Sequence, residues 1–325
     1  MKITILGTGA WGVALSLILV RNGHEITLWS ALKRQLDEIR ATGRIESALP
    51  GAVIPREFRV EDNLSRAIEG AELILAAVAS QYFRATVSQI GDFRGPIISV
   101  TKGIEFQSGL TMSGILEELL PQCLPVALSG PSLATEVARG VPTAVVAASH
   151  SQKSAQLAQD IFHSPTFRVY TSSDILGVEL GGALKNIIAI GAGICDGMGF
   201  GSNSKAALLT RAIVEIRRLG VAMGAEADTF SGLSGLGDLM VTCFSTLSRN
   251  HSVGERLGKG EKLNEILASM SAVAEGVPTS ASAHALSERF QVETPIMNEI
   301  YAILHEGKEM KESLHALIDR SQKAE

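Results

Sequence analysis

A glycine-rich turn near the N-terminus separates an apolar, strand-like run from a helix-like segment, and this order limits what the first part of the chain can fold into. The apolar run has the composition of a strand that is buried on both faces. The predicted elements are a strand at Lys2–Leu6, a helix at Ala10–Asn22 that Gly23 ends, and a second strand at Glu25–Trp29. This order is typical of the first unit of a doubly wound parallel sheet.

The rest of the sequence divides into a part with strand signals and a part with helical periodicity alone. Between Thr42 and Asn63 the pattern weakens, and Leu49-Pro50-Gly51 indicates a loop. Further strands are predicted at Leu73–Val78, Ile97–Val100, Val126–Leu128, Thr143–Ala148 and Phe167–Tyr170, and helices at Gly181–Asp196, Ser204–Met223, Leu263–Ser269, Ala281–Arg289 and Met297–His305. We therefore expect an α/β protein with an N-terminal Rossmann-type doubly wound sheet, residues 1–178, and an all-helical C-terminal domain, residues 179–325.

Composition narrows the class of protein. The chain has 325 residues, of which 46% are hydrophobic and 19% charged, and a net charge of -5, which indicates a soluble globular protein with two cores. No dense Lys/Arg block is present, so a nucleic-acid partner is not expected. The three cysteines lack metal-ligand spacing and are predicted to be packing thiols in a reducing compartment. Without a secretory pattern or an uninterrupted apolar segment of about 20 residues, we expect a cytoplasmic location and no membrane span.

Each glycine of the N-terminal turn has a physical task in a dinucleotide-binding loop. Gly7 would form the tight turn, Gly9 would let the backbone approach a pyrophosphate, and Gly12 would let the helix pack closely on the sheet. The helix N-terminus attracts the pyrophosphate through its unpaired N–H groups. Trp11 has two open interpretations, a cap on the pyrophosphate or a packing residue against the helical domain.

The end of the second strand bears on the choice between NAD and NADP. An acidic residue there binds the ribose 2'-hydroxyl of NAD, but this chain has Ser30-Ala31-Leu32-Lys33-Arg34. The two cations favour NADP slightly, since they can receive its 2'-phosphate. The alternative is that Lys33 and Arg34 begin a solvated helix.

Two polar segments follow predicted strands at the carboxyl edge of the sheet, where open α/β proteins bind ligands. The first contains Lys102, and the second is Ser129-Gly130-Pro131-Ser132. Both are candidates for a ligand site, with an ordinary turn as the alternative for the second. Glu136 and Arg139, which come next, are one helical turn apart and are expected to pair with each other.

Lys185 lies in a predicted helix with too many glycines for its own stability, because each glycine costs up to about 1 kcal/mol relative to alanine. The positions one turn from this lysine are mostly small, so a ligand or strand could come close to it. Partial desolvation would lower the pKa of its amine toward a useful range for proton transfer. Asn186 could hold the lysine or the substrate. The alternative is a surface lysine on a helix that packs through small residues.

Two further polar segments follow this helix. Ser234–Asp238 reads as a glycine turn whose carboxylate binds a substrate hydroxyl or, more simply, caps the next helix. Ser248-Arg249-Asn250 combines a hydroxyl, a forked cation and an amide, a set suited to a phosphate monoester. His251 is interpreted as a packed or solvent-facing residue and is not assigned a role.

Together these motifs resemble the bacterial NAD(P)-dependent glycerol-3-phosphate dehydrogenases over nearly the whole chain. The resemblance rests on Gly7–Gly12, Leu49–Gly51, Thr101–Glu105, Ser129–Ser132, Glu179–Asn186, Gly235–Asp238, Ser248–Asn250 and Ala274–Gly276. It implies reversible reduction of dihydroxyacetone phosphate to sn-glycerol 3-phosphate for phospholipid synthesis, with NADP or NAD as cofactor. It also implies a dinucleotide-binding first domain and a substrate-binding second domain.

The resemblance implies a role for individual residues as well. Lys185 would be the catalytic proton carrier, and no metal would be needed. The substrate would contact Lys102, Gly130, Ser132, Lys185, Asp238, Ser248, Arg249 and Asn250. The cofactor would contact Gly7, Gly9, Ala10, Trp11, Gly12, Lys33, Lys102, Ala134, Arg249, Val273 and Glu275.

The sequence departs from the family pattern at Ala10, at Ser30–Leu32 and at Ala79, where the family has serine, glycine with basic residues, and proline. These departures affect the expected cofactor preference and leave the substrate cluster unchanged. Two rival functions stay open on the residues alone, a hydroxy-acid dehydrogenase in which Arg249 grips a carboxylate and a non-catalytic dinucleotide sensor. A homodimer through the helical domain is a working hypothesis without a residue pattern behind it.

Overall fold

A computed structural model describes residues 1–270 and 272–319 of the chain. The chain divides into two compact units. The first, called the sheet unit, comprises Met1–Lys102 and Leu110–Glu179, and the second, called the helical unit, comprises Gly103–Gly109 and the chain from Leu180 onward. The sheet and the helices agree with the predicted fold class, which is confirmed.

The sheet unit is built on a single sheet in the order β3-β2-β1-β4-β5-β6-β7-β8. Neighbouring strands are parallel, except that β7 is antiparallel to β6. Leu6 pairs with Trp29 on one side and with Ala76 on the other. The strands of the described chain are β1 (Lys2–Leu6), β2 (Glu25–Trp29), β3 (Arg59–Glu61), β4 (Leu73–Ala76), β5 (Pro96–Ser99), β6 (Leu124–Ser129), β7 (Thr143–Ala148) and β8 (Phe167–Ser172).

Helices cover both faces of this sheet. Alternate strand residues enter different apolar clusters, so that Leu73 and Leu75 pack on one side, with Leu15, while Ile74 packs on the other, with Phe83. This alternation explains why the strands read as continuous apolar runs. The helices are α1 (Ala10–Arg21), α2 (Lys33–Thr42), α3 (Leu64–Ile68), α4 (Ser80–Val87), α5 (Met112–Leu119), α6 (Ala134–Ala138) and α7 (Gln152–Phe162).

Two features of the sheet differ from the prediction. The edge strand β3 falls in the predicted loop, because its three residues are polar or half-buried and carry no strand pattern. The antiparallel direction of β7 was not predicted either. A strand that is buried on both faces has the same apolar sequence whichever way it runs, so the pattern does not encode its direction.

The helical unit has no strand within its described residues. The helix predicted at Leu263–Ser269 has the predicted bounds, and the other predicted helices are present with shifted ends. No bounds were predicted for α10, α11 and α15, which are short or rich in polar residues. The elements are α8 (Ile175–Gly197, whose first five residues belong to the sheet unit), α9 (Ser202–Ala222), a 3-10 turn (Ala227–Ser231), a π turn (Leu233–Gly237), α10 (Asp238–Phe244), α11 (Arg249–Gly258), α12 (Leu263–Ser269), α13 (Gly276–Arg289), α14 (Pro295–Tyr301), a second π turn (Ala302–Glu306) and α15 (Met310–Ile318).

The short segment Gly103–Gly109 clusters with the helical unit, although the sequence prediction kept it in the first domain. Side-chain and backbone contacts to α13 explain this. The hydroxyl of Ser282 donates to the carbonyl oxygen of Ile104 at 2.9 Å, and a Cβ built on Gly109 would lie 3.0 Å from the side chain of Leu286.

Helix α8 is the one helix of the described chain that is long and apolar enough, by length and composition, to cross a membrane. The sequence prediction had no such segment, because glycines were taken to interrupt the apolar run. In the structure the helix continues through these glycines, and 94% of its apolar stretch is buried inside the protein. Burial of this extent is typical of a helix at the centre of a core.

Candidate active site

The N-terminal loop has the local geometry that the glycine pattern predicts. Gly7 has a φ of +111°, a conformation that L side chains rarely adopt, and a Cβ there would lie 2.7 Å from the carbonyl oxygen of Ala77. A Cβ on Gly12 would lie 2.5 Å from the carbonyl oxygen of Gly7, so this glycine lets α1 pack closely. A Cβ on Gly9 would meet nothing within 4 Å. The backbone beside Gly9 is therefore open to a ligand at the N-terminus of α1.

The residues around this loop belong to the core of the sheet unit. Ala10 begins α1, and both Ala10 and Trp11 pack against the apolar cluster of the sheet. Trp11 thus packs on the core of its own unit. Thr8 is buried, and its hydroxyl donates to Oε1 of Gln35 at 2.6 Å. This hydrogen bond connects the loop to the first turn of α2.

The turn after β2 leads directly into α2, which begins at Lys33. Lys33 and Arg34 are exposed, and the first turn of α2 contains no acidic residue. Ser30 is buried, and its hydroxyl accepts a hydrogen bond from the N–H of Leu32 at 3.1 Å. This end of the sheet therefore presents two cations at a helix N-terminus, which is compatible with both interpretations of the sequence.

Three predicted residues meet at the carboxyl ends of β5 and β6. Nζ of Lys102 donates to the carbonyl oxygen of Gly130 at 3.4 Å, and the hydroxyl of Ser132 donates to the same oxygen at 2.9 Å. Gly130 has a φ of +141°. Ala134, another predicted residue, begins α6 and packs against the core of the sheet.

Lys185 lies on α8 in the helical unit and is only 5% exposed, so the alternative of a surface lysine is wrong. Its ammonium donates to the carboxylate of Asp238 and to the hydroxyl of Thr242. The hydroxyl of Thr242 in turn donates to the backbone carbonyl of Asp238 at 2.7 Å. Two polar side chains therefore hold the buried ammonium in one place.

Asp238 accepts a hydrogen bond from Lys185 and is not the N-cap of a helix. The N-cap of α10 is Gly237, and Asp238 is the first residue of the helix, with 1% of its surface exposed. Because Asp238 and Thr242 are four residues apart on α10, both side chains lie on the same face. The π turn before α10 brings Ser234 against α8, where a Cβ on Gly181 would lie 3.1 Å from the carbonyl carbon of Ser234.

The glycines in the second half of α8 accommodate the backbone of another helix. A Cβ on Gly193 would overlap the carbonyl oxygen of His251, and one on Gly197 would lie 2.8 Å from Cα of Gly258. On the facing helix α11, a Cβ on Gly254 would overlap the carbonyl oxygen of Ile190. These glycines therefore allow backbone-to-backbone packing of two helices, and the space beside them is filled by protein rather than left bare for a ligand.

The predicted phosphate cluster lies at the start of α11. Ser248 is the N-cap, and its hydroxyl accepts from the N–H of His251 at 3.2 Å. The side chain of Asn250 donates to Oδ1 of Asn186 at 3.0 Å and accepts from the N–H of Gly276 at 2.9 Å. Both ends of this amide are thus engaged within the protein, and Asn186 holds Asn250 rather than the lysine.

Arg249, the first residue of α11, keeps solvent-exposed surface. The protein atoms packed around its guanidinium lower the pKa of that group, and the charge of Glu275 acts in the opposite direction. An arginine with a lowered pKa still remains charged at physiological pH. Glu275 is the N-cap of α13, with Val273 two residues before it, so the structure brings Arg249 near one of the predicted cofactor residues.

His251 is buried, which agrees with the prediction of a packed residue. Its Nε2 lies 2.7 Å from Oδ2 of Asp196, and Nζ of Lys205 donates to the same oxygen at 2.6 Å. Burial acts to raise the pKa of Asp196, but the hydrogen bonds from Lys205 and His251 outweigh it, and the pKa is lowered.

Comparison with known proteins assigns the chain to a family. Models of the N- and C-terminal parts of NAD-dependent glycerol-3-phosphate dehydrogenase match residues 2–155 and 174–315. The chain is 46% identical over 328 residues to a glycerol-3-phosphate dehydrogenase, NAD(P)+, of Thermoanaerobacter sp. (strain X514), covering 100% of this chain and 99% of the relative. The corresponding enzyme of Fusobacterium nucleatum is 42% identical over 330 residues, covering 100% and 98%.

A solved structure gives the same result. The crystal structure of glycerol-3-phosphate dehydrogenase from Coxiella burnetii superposes with a TM-score of 0.95 at 36% identity, covering 98% of this chain and 99% of that chain. The chain belongs to the NAD-dependent glycerol-3-phosphate dehydrogenase family. The predicted family, the predicted oxidoreductase class and the predicted NAD(P) dependence are confirmed.

One departure of this chain from the family pattern is explained by its backbone. Ala79 stands where the family pattern has proline and is the N-cap of α4, with φ −64° and ψ 150°. Proline is confined to φ near −65°. The alanine keeps the conformation that proline would impose, so the departure does not alter the local fold.

Two polar residues of the helical unit that contact buried ionisable side chains were not predicted to have a role. Thr242 contacts the ammonium of Lys185, and its spacing of four from Asp238 on a helix was the available signal. Asp196 contacts His251, and no local pattern pointed to that pair, which is 55 residues apart in sequence. Within residues 1–270 and 272–319, no group of three or more His, Cys, Asp or Glu side chains could hold a metal ion.

Proposed function

We propose that this chain catalyses the reversible, NAD(P)H-dependent reduction of dihydroxyacetone phosphate to sn-glycerol 3-phosphate, the backbone of glycerophospholipids, with Lys185 as the proton donor. The observation that carries the proposal is the buried ammonium of Lys185, held by the carboxylate of Asp238 and the hydroxyl of Thr242. A buried, oriented ammonium is suited to donate a proton where negative charge develops on oxygen.

The residues of the sheet unit fit a nicotinamide dinucleotide, so we assign cofactor binding to this unit and substrate binding to the helical unit. The open backbone beside Gly9 and the N-terminus of α1 support a pyrophosphate site. When bound, the reduced nicotinamide supplies the hydride. The cofactor would be held by Gly7, Gly9, Ala10, Trp11, Gly12, Lys33, Lys102, Ala134, Arg249, Val273 and Glu275.

Lys185 carries the proton chemistry in this mechanism. Its ammonium polarises the ketone oxygen and donates a proton as the alkoxide forms, and in the reverse direction the amine takes the proton back. Asp238 stabilises the charged form of the lysine before the reaction, and Thr242 fixes the direction of its Nζ. Lys102, whose Nζ lies at the carboxyl edge of the sheet, adds positive charge for the same oxygen.

Arg249 holds the phosphate of the substrate in this proposal. Arg249 keeps solvent-exposed surface at the N-terminus of α11, where both its forked donors and the helix end attract an anion. Ser248 and Asn250 shape that turn through their own hydrogen bonds, and Gly130 and Ser132 complete the proposed substrate set. Binding energy from the phosphate then orients the ketone.

The decisive experiment is the oxidation of NADPH with dihydroxyacetone phosphate by the Lys185→Ala variant. We expect kcat to fall by roughly 10³-fold, within the range that a positioned proton donor contributes, while the Kd of NADPH stays unchanged. Lys185→Arg keeps the charge but cannot release a proton near neutral pH, so it should be nearly as inactive. Near-wild-type turnover of either variant would contradict the role of Lys185.

A substrate panel tests the reaction itself. We expect dihydroxyacetone phosphate to be preferred over unphosphorylated dihydroxyacetone and over carboxylated ketones, because Arg249 offers a forked cation to a phosphate dianion. Preference for a carboxylated ketone would instead indicate a hydroxy-acid dehydrogenase. If no ketone led to oxidation of NADPH, the chain would be interpreted as a non-catalytic dinucleotide sensor.

We also propose a homodimer formed through the helical unit. Leu236, Met240 and Phe244 are exposed at 41%, 43% and 54% and stand four residues apart, so apolar side chains form a row on successive turns. Sedimentation equilibrium tests this proposal. A mass of one chain across the micromolar range would contradict it.

A cytoplasmic location is proposed from the state of the thiols. All three cysteines are free, and burial raises the pKa of Cys123 to about 11 and that of Cys243 to about 12. Such thiols are packing groups rather than disulfide partners. Fractionation of cells that express the chain tests the location, and recovery with the membrane or secreted fraction would contradict it.

A further inference from the structure

A cluster of three ionisable side chains lies on the helical unit outside the proposed proton-donor site. Asp196 is the penultimate residue of α8, and its Oδ2 receives hydrogen bonds from Lys205 in the first turn of α9 and from His251 in the first turn of α11. The side chains of Lys205 and His251 are 13% and 5% exposed. Nζ of Lys205 also lies 5.3 Å from the ring centroid of Phe244, at the end of α10. The carboxylate of Asp196 thus links α8, α9 and α11, and Lys205 adds a contact with α10.

This cluster adjoins the turn that carries Arg249. His251 follows Asn250 directly, and the backbone N–H of His251 is the group that Ser248 caps. The first turn of α11 is therefore held on one side by the bond between Asn250 and Asn186, and on the other by the bond between His251 and Asp196. Of these two tethers, only the second involves an ionised carboxylate, which makes it the stronger hydrogen bond.

The way in which α8 and α11 pack explains what these two hydrogen bonds do. The two helices meet through Gly193 and Gly197 on one side and Gly254 and Gly258 on the other. Glycines permit close approach but offer no side chains that interlock, and interlocking side chains normally fix how one helix is placed on another. Apart from the buried side chains of Val253 and Leu257, the contacts that can set the rotation of α11 about its own axis are the polar bonds at its start.

Helix α8 relates this cluster to the proposed proton donor. Lys185 and Asp196 are 11 residues apart, which places both on the same face at a separation of about 16 Å along the axis. The same rigid helix therefore carries the amine that would act on the ketone and the carboxylate that fixes α11.

We infer that Asp196 is a positioning residue for the substrate phosphate: through His251 and Lys205 it fixes the rotation of α11 and thereby the place of the Arg249 guanidinium. The inference rests on the proposed function, in which Arg249 binds the phosphate. Asp196 touches neither substrate nor cofactor in this assignment, and it acts by holding the turn that does.

The first test is the steady-state kinetics of Asp196→Ala. We expect the KM for dihydroxyacetone phosphate to rise roughly tenfold, with kcat at saturation within about twofold of wild type and an unchanged KM for NADPH, as for residues coupled through a shared network. A role in folding alone would lower kcat with the active fraction and leave the KM unchanged, and that result would overturn the inference.

A second pair of variants keeps the test valid if Asp196→Ala folds poorly. His251→Gln retains a side-chain N–H at the place of the imidazole Nε2 and should keep a KM close to wild type. His251→Leu fills the same buried space without a donor and should raise the KM as Asp196→Ala does. Equal KM values for these two variants would overturn the inference. Glu261→Gln is the matched control, because it removes an ion pair with Arg256, in the last turn of α11, that does not involve Asp196 or His251, and it should change neither constant.

A double variant that combines Asp196→Ala with Arg249→Ala distinguishes a failure of this inference from a failure of the proposed function. Arg249→Ala alone should raise the KM for dihydroxyacetone phosphate, and an unchanged KM would refute the phosphate assignment itself. In the Arg249→Ala background, Asp196→Ala should raise the KM by less than about twofold, since the group that it positions is gone. If Arg249→Ala raises the KM while Asp196→Ala leaves the KM of the otherwise wild-type enzyme unchanged, or multiplies the increase independently in the double variant, only the positioning role fails.

Discussion

The glycines of the N-terminal loop and those of α8 show two opposite uses of the same residue. In the loop, Gly9 leaves open space next to a helix N-terminus, and a Cβ there would touch nothing within 4 Å. In α8, Gly193 leaves no space at all, because the backbone of α11 occupies the place of its side chain. The missing side chain leaves space for the proposed ligand in the first case and is replaced by a neighbouring helix in the second.

The comparison shows what a glycine pattern can reveal. The loop glycines occur at fixed spacing between a strand and a helix, so the neighbouring sequence is enough to predict a dinucleotide-binding loop. The helix glycines have partners on α11, some 60 residues further along the chain, and a local pattern does not identify them. The excess of glycine in α8 correctly indicated that another group comes close to this helix, but the sequence did not show that the group is the backbone of α11.

The largest effect is expected for Gly254→Ala, which tests the packing role. Alanine favours a helix by up to about 1 kcal/mol over glycine. Its Cβ would overlap the carbonyl oxygen of Ile190, a backbone atom that cannot move without displacing α8. We expect the free energy of unfolding to fall by about 3 kcal/mol. Thermal denaturation should show this as a Tm lowered by several degrees.

Gly114→Ala in α5 is the matched control for that substitution. Its Cβ would lie 3.2 Å from the flexible side chain of Leu110, which can adjust, so the helical preference of alanine should dominate. The Tm should stay the same or rise. A Gly254→Ala protein as stable as Gly114→Ala would show that α8 and α11 are not in close contact.

The overall architecture could be predicted from the sequence because its signals are local. Apolar runs and amphipathic segments placed most strands of the sheet, and the glycine turn placed α1 after β1. The pairing of Lys185 with Asp238 could not be derived in this way, because it joins residues 53 apart that meet only through the fold. The sequence indicated that each side chain was a candidate, and the structure shows that the two form one buried pair.

A second prediction concerns Gly9→Ala, which tests the ligand role. Gly9 has φ −67°, which alanine adopts freely, and the added Cβ meets no protein atom within 4 Å. The loss of a favourable N-cap residue should cost less than about 1 kcal/mol of stability. The Kd of NADPH, measured by nicotinamide fluorescence, should rise at least tenfold, because the methyl group would occupy the space proposed for the pyrophosphate.

Gly201→Ala is the control that isolates the cofactor effect. Gly201 is the N-cap of α9, has an extended backbone at φ −80°, and is equally open around its Cβ position. This variant should lose as little stability as Gly9→Ala and keep the wild-type Kd for NADPH. If both variants bind NADPH equally well, the open space at Gly9 does not receive the pyrophosphate.

The smallest effect is expected at the turn after β2, where the local context did not decide between a 2'-phosphate site and a solvated helix. Replacement of both Lys33 and Arg34 by alanine should raise the KM for NADPH about fivefold, since exposed ion pairs contribute up to about 1 kcal/mol each, and leave the KM for NADH unchanged. Lys153→Ala, which removes an exposed cation from the first turn of α7, should change neither constant. Equal changes for NADPH and NADH would mean that the two cations do not distinguish the cofactors. The glycine loop would then bind the pyrophosphate that both share, and the cofactor preference would have to lie in other residues of the sheet unit.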